Sequence, residues 1–342
     1  VARTATTWRG SVVVVTGGSR GIGRAIAEAA VARGARVGLV ARHRRELDAA
    51  LGALGGSRAG AVAVADVADR GALEQALAGL ATALGPPDIL VNNAGLGAAG
   101  PVTSVPVEAM ERIMAINYLG TVYATKAVLP GMLERRRGHI VNVASVAGRF
   151  AAPGEAAYSA TKFAVVGFTQ ALALELHGTG VGVSLVDPGP VDTGLVDARG
   201  ADYQRTWPRK VPARRVAGAV VDAVERGRFE VFVPPWFRAV GVFQAAFSGL
   251  LRMVPPALFG ITPSEADIAE ALAGGGAGTD GDDSDGDDSH DGRDGRDGRD
   301  GRDGRDGRDG RDGRDGRDGR DVITPAGPGA DPPGSEGGAG GP

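Results

Sequence analysis

Short runs of β-branched residues alternate with longer alanine- and leucine-rich stretches from Val12 to Val233. Val12–Val15, entered through Ser11, has the length and composition of a buried strand. Further strands are predicted at Arg36–Val40, Val62–Val67, Ile89–Asn92, His139–Ser145 and Val183–Gly189, with the last core strand ending before Pro234-Pro235-Trp236. Helical patterns run from Arg24 to about Arg33 and from Val107 to Leu133. Alternation of this kind predicts an α/β protein, a doubly wound parallel sheet covered by helices on both faces. Right-handed crossovers then place a ligand crevice at the carboxyl ends of the strands.

The first strand runs into Thr16-Gly17-Gly18-Ser19-Arg20-Gly21-Ile22-Gly23 and then a helix. Strand, glycine-rich turn and helix make a Rossmann-type dinucleotide site: glycines admit the pyrophosphate to the backbone, and the helix start supplies N–H groups and partial positive charge. The spacing is Gly-x-x-x-Gly-x-Gly, and taken alone it can also be a turn without a ligand. Further along, Tyr158 and Lys162 stand four residues apart, on one face of a helix. An ammonium beside a phenol favours the phenolate, bringing a group with a reference pKa of about 10 toward working pH. Such a tyrosine can give or take a proton at a substrate oxygen.

Four more features fall in order around these two: Asp66-Val67 after a strand, Asn92-Asn93-Ala94-Gly95, Asn117 in a helical pattern, and Ser145 thirteen residues before Tyr158. Asp187-Pro188-Gly189-Pro190-Val191-Asp192-Thr193 ends another strand. With these motifs the chain resembles the short-chain dehydrogenase/reductase superfamily in its shorter form, over roughly Trp8 to Pro234. The resemblance implies hydride transfer between a nicotinamide cofactor and a carbonyl or secondary alcohol. It implies Tyr158 as general acid/base, Lys162 lowering its pKa and holding the nicotinamide ribose, Ser145 polarising the substrate oxygen, and Asn117 anchoring a proton-relay water. For the cofactor it implies Gly17, Ser19, Arg20, Gly21, Ile22 and Gly23 at the phosphates, and Asp66 and Val67 at the adenine. Asn93, Ala94 and Gly95 would pack on the adenosine side, and Pro188, Val191 and Thr193 would lie at the nicotinamide. Read singly, Ser145 is also a strand end that caps the next turn, Asn117 a helix-bending polar residue, and Asp66 and Thr193 helix caps. A catalytically silent NADP(H)-binding regulatory or scaffold protein is the alternative function.

Cofactor choice rests on the end of the second strand, Ala41-Arg42, where NAD-preferring folds usually carry an acid. Arg42 there, with Arg20 in the loop, suits a 2′-phosphate, so NADP(H) is favoured over NAD(H).

Composition narrows the rest. Cysteine is absent, which excludes disulfides and thiolate metal sites, and four scattered histidines show no ligand spacing, so no metal is expected. Residues 1–10 read as an N-terminal extension without a signal peptide, residues 11–273 as the catalytic domain, and a cytoplasmic location is expected. Val240, Phe243, Phe247, Leu250 and Val254 form an apolar face within 231–261, expected over the substrate pocket or against another subunit rather than on a membrane surface. That segment points to a hydrophobic substrate. Residues 274–342 form a low-complexity tail in which Gly-Arg-Asp repeats from Gly292 to Asp321, a composition expected to be disordered. Asp280–Asp321 holds 17 aspartates against 10 arginines, a net of −7 within the whole-chain −3. The remaining positive charge is too diffuse to imply nucleic acid. By the resemblance, a homodimer or homotetramer through the helices at Val107–Leu133 and Tyr158–Leu176 is expected.

Overall fold

The computed structural model of the protein describes residues 7–97, 99–151, 154–192 and 209–246. Thr193, the apolar segment beyond 246 and the Gly-Arg-Asp repeats lie outside the described residues. Among those described, seven strands form one parallel sheet: β1 (Val12–Thr16), β2 (Arg36–Ala41), β3 (Gly60–Val64), β4 (Ile89–Asn92), β5 (Gly138–Val143), β6 (Val181–Pro188) and β9 (Glu230–Val233). Their spatial order is β3-β2-β1-β4-β5-β6-β9. Chain order reverses between β1 and β4, which pair through Val13–Ile89, Val14–Leu90 and Val15–Val91. A crevice opens at such a switch point beyond the strand carboxyl ends. Two short strands, β7 (Val191–Asp192) and β8 (Val211–Pro212), pair separately.

Both sheet faces are covered, which is why β1 runs apolar from Val12 to Val15 instead of alternating. Val13 and Val15 face α1 (Gly21–Val31), α2 (Arg44–Ala53) and α7 (Ala213–Arg226), sharing a core with Ile26, Leu47 and Val220. Val12 and Val14 face α3 (Arg70–Leu84), α5 (Gly120–Glu134) and α6 (Ala156–Glu175), with Leu73, Leu77, Val128 and Leu172. The doubly wound Rossmann-type architecture read from the sequence is therefore the one observed.

Several boundaries differ from expectation. α1 begins at Gly21 rather than Arg24, so the last two glycines of the loop belong to its first turn. β3 ends at Val64, so Asp66 stands in a turn; Asp69 caps α3 by accepting from the Ala72 N–H at 3.0 Å. The stretch 107–133 is not one helix. α4 (Val107–Met114) passes through a π-helical turn, Ala115–Leu119, into α5, and Asn117 sits within that turn. Residues 7–10, expected outside the domain, pack on it: Trp8 is buried in the β1 core, and the Gly10 N–H bonds the Gly34 carbonyl. After β9, α8 (Phe237–Ala246) begins the apolar segment.

Candidate active site

Gly17, at φ +65°, turns the chain from β1 toward α1. A Cβ on Gly23 would stand 2.2 Å from the Gly17 carbonyl oxygen and 2.5 Å from Asn93 Nδ2, so only glycine closes this loop. Asn93 fastens it from the neighbouring strand, its Nδ2 donating to the carbonyls of Thr16 (3.0 Å) and Gly17 (3.2 Å). Thr16 Oγ1 in turn accepts the backbone N–H groups of Asn93 and Ala94. Among the described residues no side chain caps α1 and none of its first-turn residues is acidic, so its leading N–H groups face the crevice. That cradle fits a dinucleotide pyrophosphate. Arg20 stands at the cap position and is exposed, while Gly21 and Ile22 form the first turn with Gly23.

Arg42 is exposed at the end of β2, and its charge is felt at Asp66 across the loops. Partial burial would raise the Asp66 carboxyl, but the Ala68 N–H, the Arg112 guanidinium and Arg42 together hold it below its usual range. Arg112 of α4 forms an ion pair with Asp66, reaching over the position expected to receive the adenine. Val67 is buried against α5, where a Cβ on Gly120 would meet its side chain at 2.9 Å. One acid missed in the sequence also reaches this region: the Ser19 hydroxyl donates to Glu46 Oε2 of α2 at 2.9 Å. The end of β2 itself carries no carboxylate, as expected. Glu46 comes from the following helix, where spacing alone gave no sign that it turns back.

Ser145, Tyr158, Lys162 and Asn117 gather at the carboxyl ends of β4, β5 and β6. Ser145 follows β5; its Oγ accepts the Ala147 N–H (3.1 Å) and donates to the Pro188 carbonyl (3.4 Å). It is thus both the cap of a short turn, Val146–Gly148, and a hydroxyl at the strand ends. Tyr158 is buried on α6 among Ile113, Ala147, Ala157 and Leu96. Lys162, one turn on, is also buried. Its Nζ lies 5.8 Å from the Tyr158 ring centroid and donates to the Val143 carbonyl at 3.2 Å. Asn117 Nδ2 donates to Leu96 O (2.9 Å) and Thr161 Oγ1 (3.0 Å), and its Oδ1 accepts the Leu96 N–H (2.7 Å). A Cβ on Gly95 would sit 3.4 Å from Asn117 Oδ1 and 3.8 Å from Lys162 Nζ, which places these two residues on one spot. Pro188 ends β6; Val191 is buried in the core beside Val211. Thr193 lies outside the described residues.

Two polar systems beneath the site were not foreseen. Asn92 and Asn142, paired in register on β4 and β5, form a buried ladder: Asn92 Nδ2 donates to Thr125 Oγ1 (3.1 Å) and Asn142 Oδ1 (2.9 Å), and Asn142 Nδ2 to Thr169 Oγ1 (2.8 Å). Asp187, fully buried on β6, accepts both Nε (3.1 Å) and Nη2 (3.0 Å) of Arg149 on one oxygen, and Arg149 also pairs with Glu230. Burial pushes Asp187 up to about 7, against the opposing pull of Arg149. Polar residues inside apolar strand runs were the available signal for all three.

The chain matches the short chain dehydrogenase family over residues 11–204. Mouse dehydrogenase/reductase SDR family member 7B is 34% identical over 263 residues, covering 73% of this chain and 79% of that protein. An inactive 2-(S)-hydroxypropyl-CoM dehydrogenase 2 from Xanthobacter autotrophicus is 48% identical over 166 residues, 48% of this chain and 71% of the relative. Among solved structures, a short chain dehydrogenase/reductase from Burkholderia phymatum in complex with NAD superposes with a TM-score of 0.66 at 27% identity, over 72% of this chain and 96% of that one. An actinorhodin polyketide ketoreductase variant with NADPH gives 0.62 at 33% identity, over 68% and 99%. No helix among the described residues is long and apolar enough to cross a membrane. A parallel sheet with its glycine loop at the switch point, and family similarity across most of its length, make this chain a member of the short-chain dehydrogenase/reductase family, an oxidoreductase acting on alcohols and carbonyls through a nicotinamide cofactor.

Proposed function

We propose that the chain is an NADP(H)-dependent oxidoreductase of a hydrophobic ketone or secondary alcohol, with Tyr158 as its general acid/base. The observation that carries this reading is the gathering of Ser145, Tyr158, Lys162 and Asn117 from three separate elements beside the glycine loop. The loop, Arg20, Arg42, Asp66 and the strand ends at Asn93–Gly95 and Pro188–Val191 would hold the dinucleotide, with Thr193 beyond them. When bound, its nicotinamide supplies or accepts the hydride. Ser145 and Tyr158 direct their hydroxyls at the substrate oxygen, where oriented donors stabilise developing alkoxide charge. Tyr158 gives that oxygen a proton in reduction and takes it in oxidation. Lys162 holds positive charge beside the phenol, and Asn117, gripped by Leu96 and Thr161, fixes the path by which the proton is replaced.

Arg42 and Arg20 favour a 2′-phosphate through charge-assisted pairing; Glu46 opposes it and limits the preference. Apolar walls support a hydrophobic substrate: Leu96, Ile113 and Ala147 pack about Tyr158, and Val146, Phe150, Phe232 and Phe237 cluster behind Ser145. Assembly as a dimer or tetramer belongs to the same reading, since Phe163 and Leu174 stand exposed on α6. A silent cofactor-binding role is the second reading, favoured by the inactive relative. Parallel titrations with NADPH and NADH, then ketone-dependent NADPH oxidation by wild type and Tyr158→Phe, separate them. Tighter NADPH binding and turnover that vanishes in the binding-competent variant support the enzyme. Tighter NADH binding sinks the cofactor assignment. Binding without turnover of a broad ketone and alcohol panel favours the silent protein.

A further inference from the structure

Asp187 has no task in the proposed reaction, yet it is 0% exposed, a costly place for a carboxyl group. Among the described residues its Oδ1 has no hydrogen-bond partner, because both Arg149 nitrogens bond Oδ2. Strand alternation puts Asp187 on the same sheet face as Leu185, which packs on Val165 and Val166 of α6. β5 and β6 are parallel, so α6 between them runs antiparallel to both. Two residues along β6 span about the same length as one helical turn. The residue one turn back from that contact is Lys162, whose Nζ bonds Val143, the register partner of Val186. The charged groups facing Asp187 are Arg149 from the turn after Ser145, Glu230 from β9, and Lys162 from α6.

We infer that Asp187 is a positioning residue for the reaction: its carboxylate, held by Arg149, sets the charge on the Lys162 side of the site and through it the acidity of Tyr158. This rests on the proposed pairing of Lys162 with Tyr158. An ionised Asp187 offsets the Lys162 ammonium and raises the free energy of a nearby phenolate. Loss of that charge leaves the site one unit more positive, and Tyr158 ionises more readily. Burial pushes the Asp187 carboxyl up to about 7, so the charge changes close to neutral pH.

The test is a spectroscopic titration of tyrosinate absorbance in the full-length protein. Subtracting the curve of the matching Tyr158→Phe protein isolates Tyr158 from the other tyrosines. In Asp187→Asn the Tyr158 midpoint is expected about one unit lower than in wild type. Asp187→Ser gives the same direction should the asparagine variant fail to fold, and Asp187→Glu, which keeps the charge, restores the wild-type midpoint. An unchanged or raised midpoint in a folded neutral variant overturns the proposal. A wild-type midpoint at the ordinary phenol value of about 10 instead overturns the Lys162–Tyr158 pairing; the Asp187 effect is still read from the difference between proteins.

Discussion

His139 makes a pH dependence of stability that can be isolated by one substitution. The ring is buried within β5, 3% exposed. Ser184 donates its hydroxyl to the Arg228 carbonyl at 2.6 Å, so at 2.9 Å from His139 Nε2 it accepts, and Nε2 carries the proton of a neutral imidazole. Gly182 lies so close that a Cβ there would stand 2.4 Å from Nδ1. Burial lowers the His139 pKa from 6.5 to about 4. Between those values the unfolded chain binds a proton that the folded protein refuses, so stability rises with pH through this window and is lost as pH falls through it. The two and a half units correspond to about 3 kcal/mol. His139→Gln keeps a nitrogen donor for Ser184 and cannot titrate. Asp187 pulls the other way: its carboxyl, raised from 3.8 to about 7, favours the folded state at low pH and loses that contribution as pH rises through neutrality. That slope is common to both proteins and cancels in their difference. Urea unfolding across pH 4 to 7 should show wild type losing about 3 kcal/mol relative to His139→Gln on acidification. Parallel stability curves for the two proteins would refute the reasoning.

Other substitutions test the site. Gly23→Ala drives a methyl into the Gly17 carbonyl and the Asn93 amide; distortion of roughly 1–3 kcal/mol should weaken NADPH binding about 10- to 100-fold, measured by titration, with the circular dichroism spectrum preserved. Arg42→Ala removes the guanidinium at the end of β2, and NADPH affinity should fall by about 10- to 100-fold while NADH affinity holds; equal losses would count against the 2′-phosphate assignment. Asn142→Leu removes one of the two acceptors of the Asn92 amide and the donor to the Thr169 hydroxyl, costing about 1–3 kcal/mol in urea unfolding. Arg149→Met strands Asp187 and Glu230, and a loss of about 3–5 kcal/mol is expected by the same assay, reduced when Asp187→Asn is added.

What the sequence determined by itself was local. Val12–Val15 reads as a strand because four consecutive positions are apolar and β-branched. The glycine loop is legible because a tight turn into a helix restricts residue type within eight positions, and Tyr158 and Lys162 because four residues make one helical turn. Contacts between distant segments were decided only in the tertiary structure. The amide of Asn117, within the π-helical turn, is held by Leu96 and Thr161, and neither lies on its own helix. Asn92 faces Asn142 only through the register of β4 on β5, and Arg149 reaches Asp187 and Glu230 only once β9 docks beside β6. Backbone sterics and residue period act within a turn or a strand, so they are written in neighbouring residues. The partner of a buried charge or amide is chosen by which strands and helices become adjacent, and that is settled by burial of the whole core.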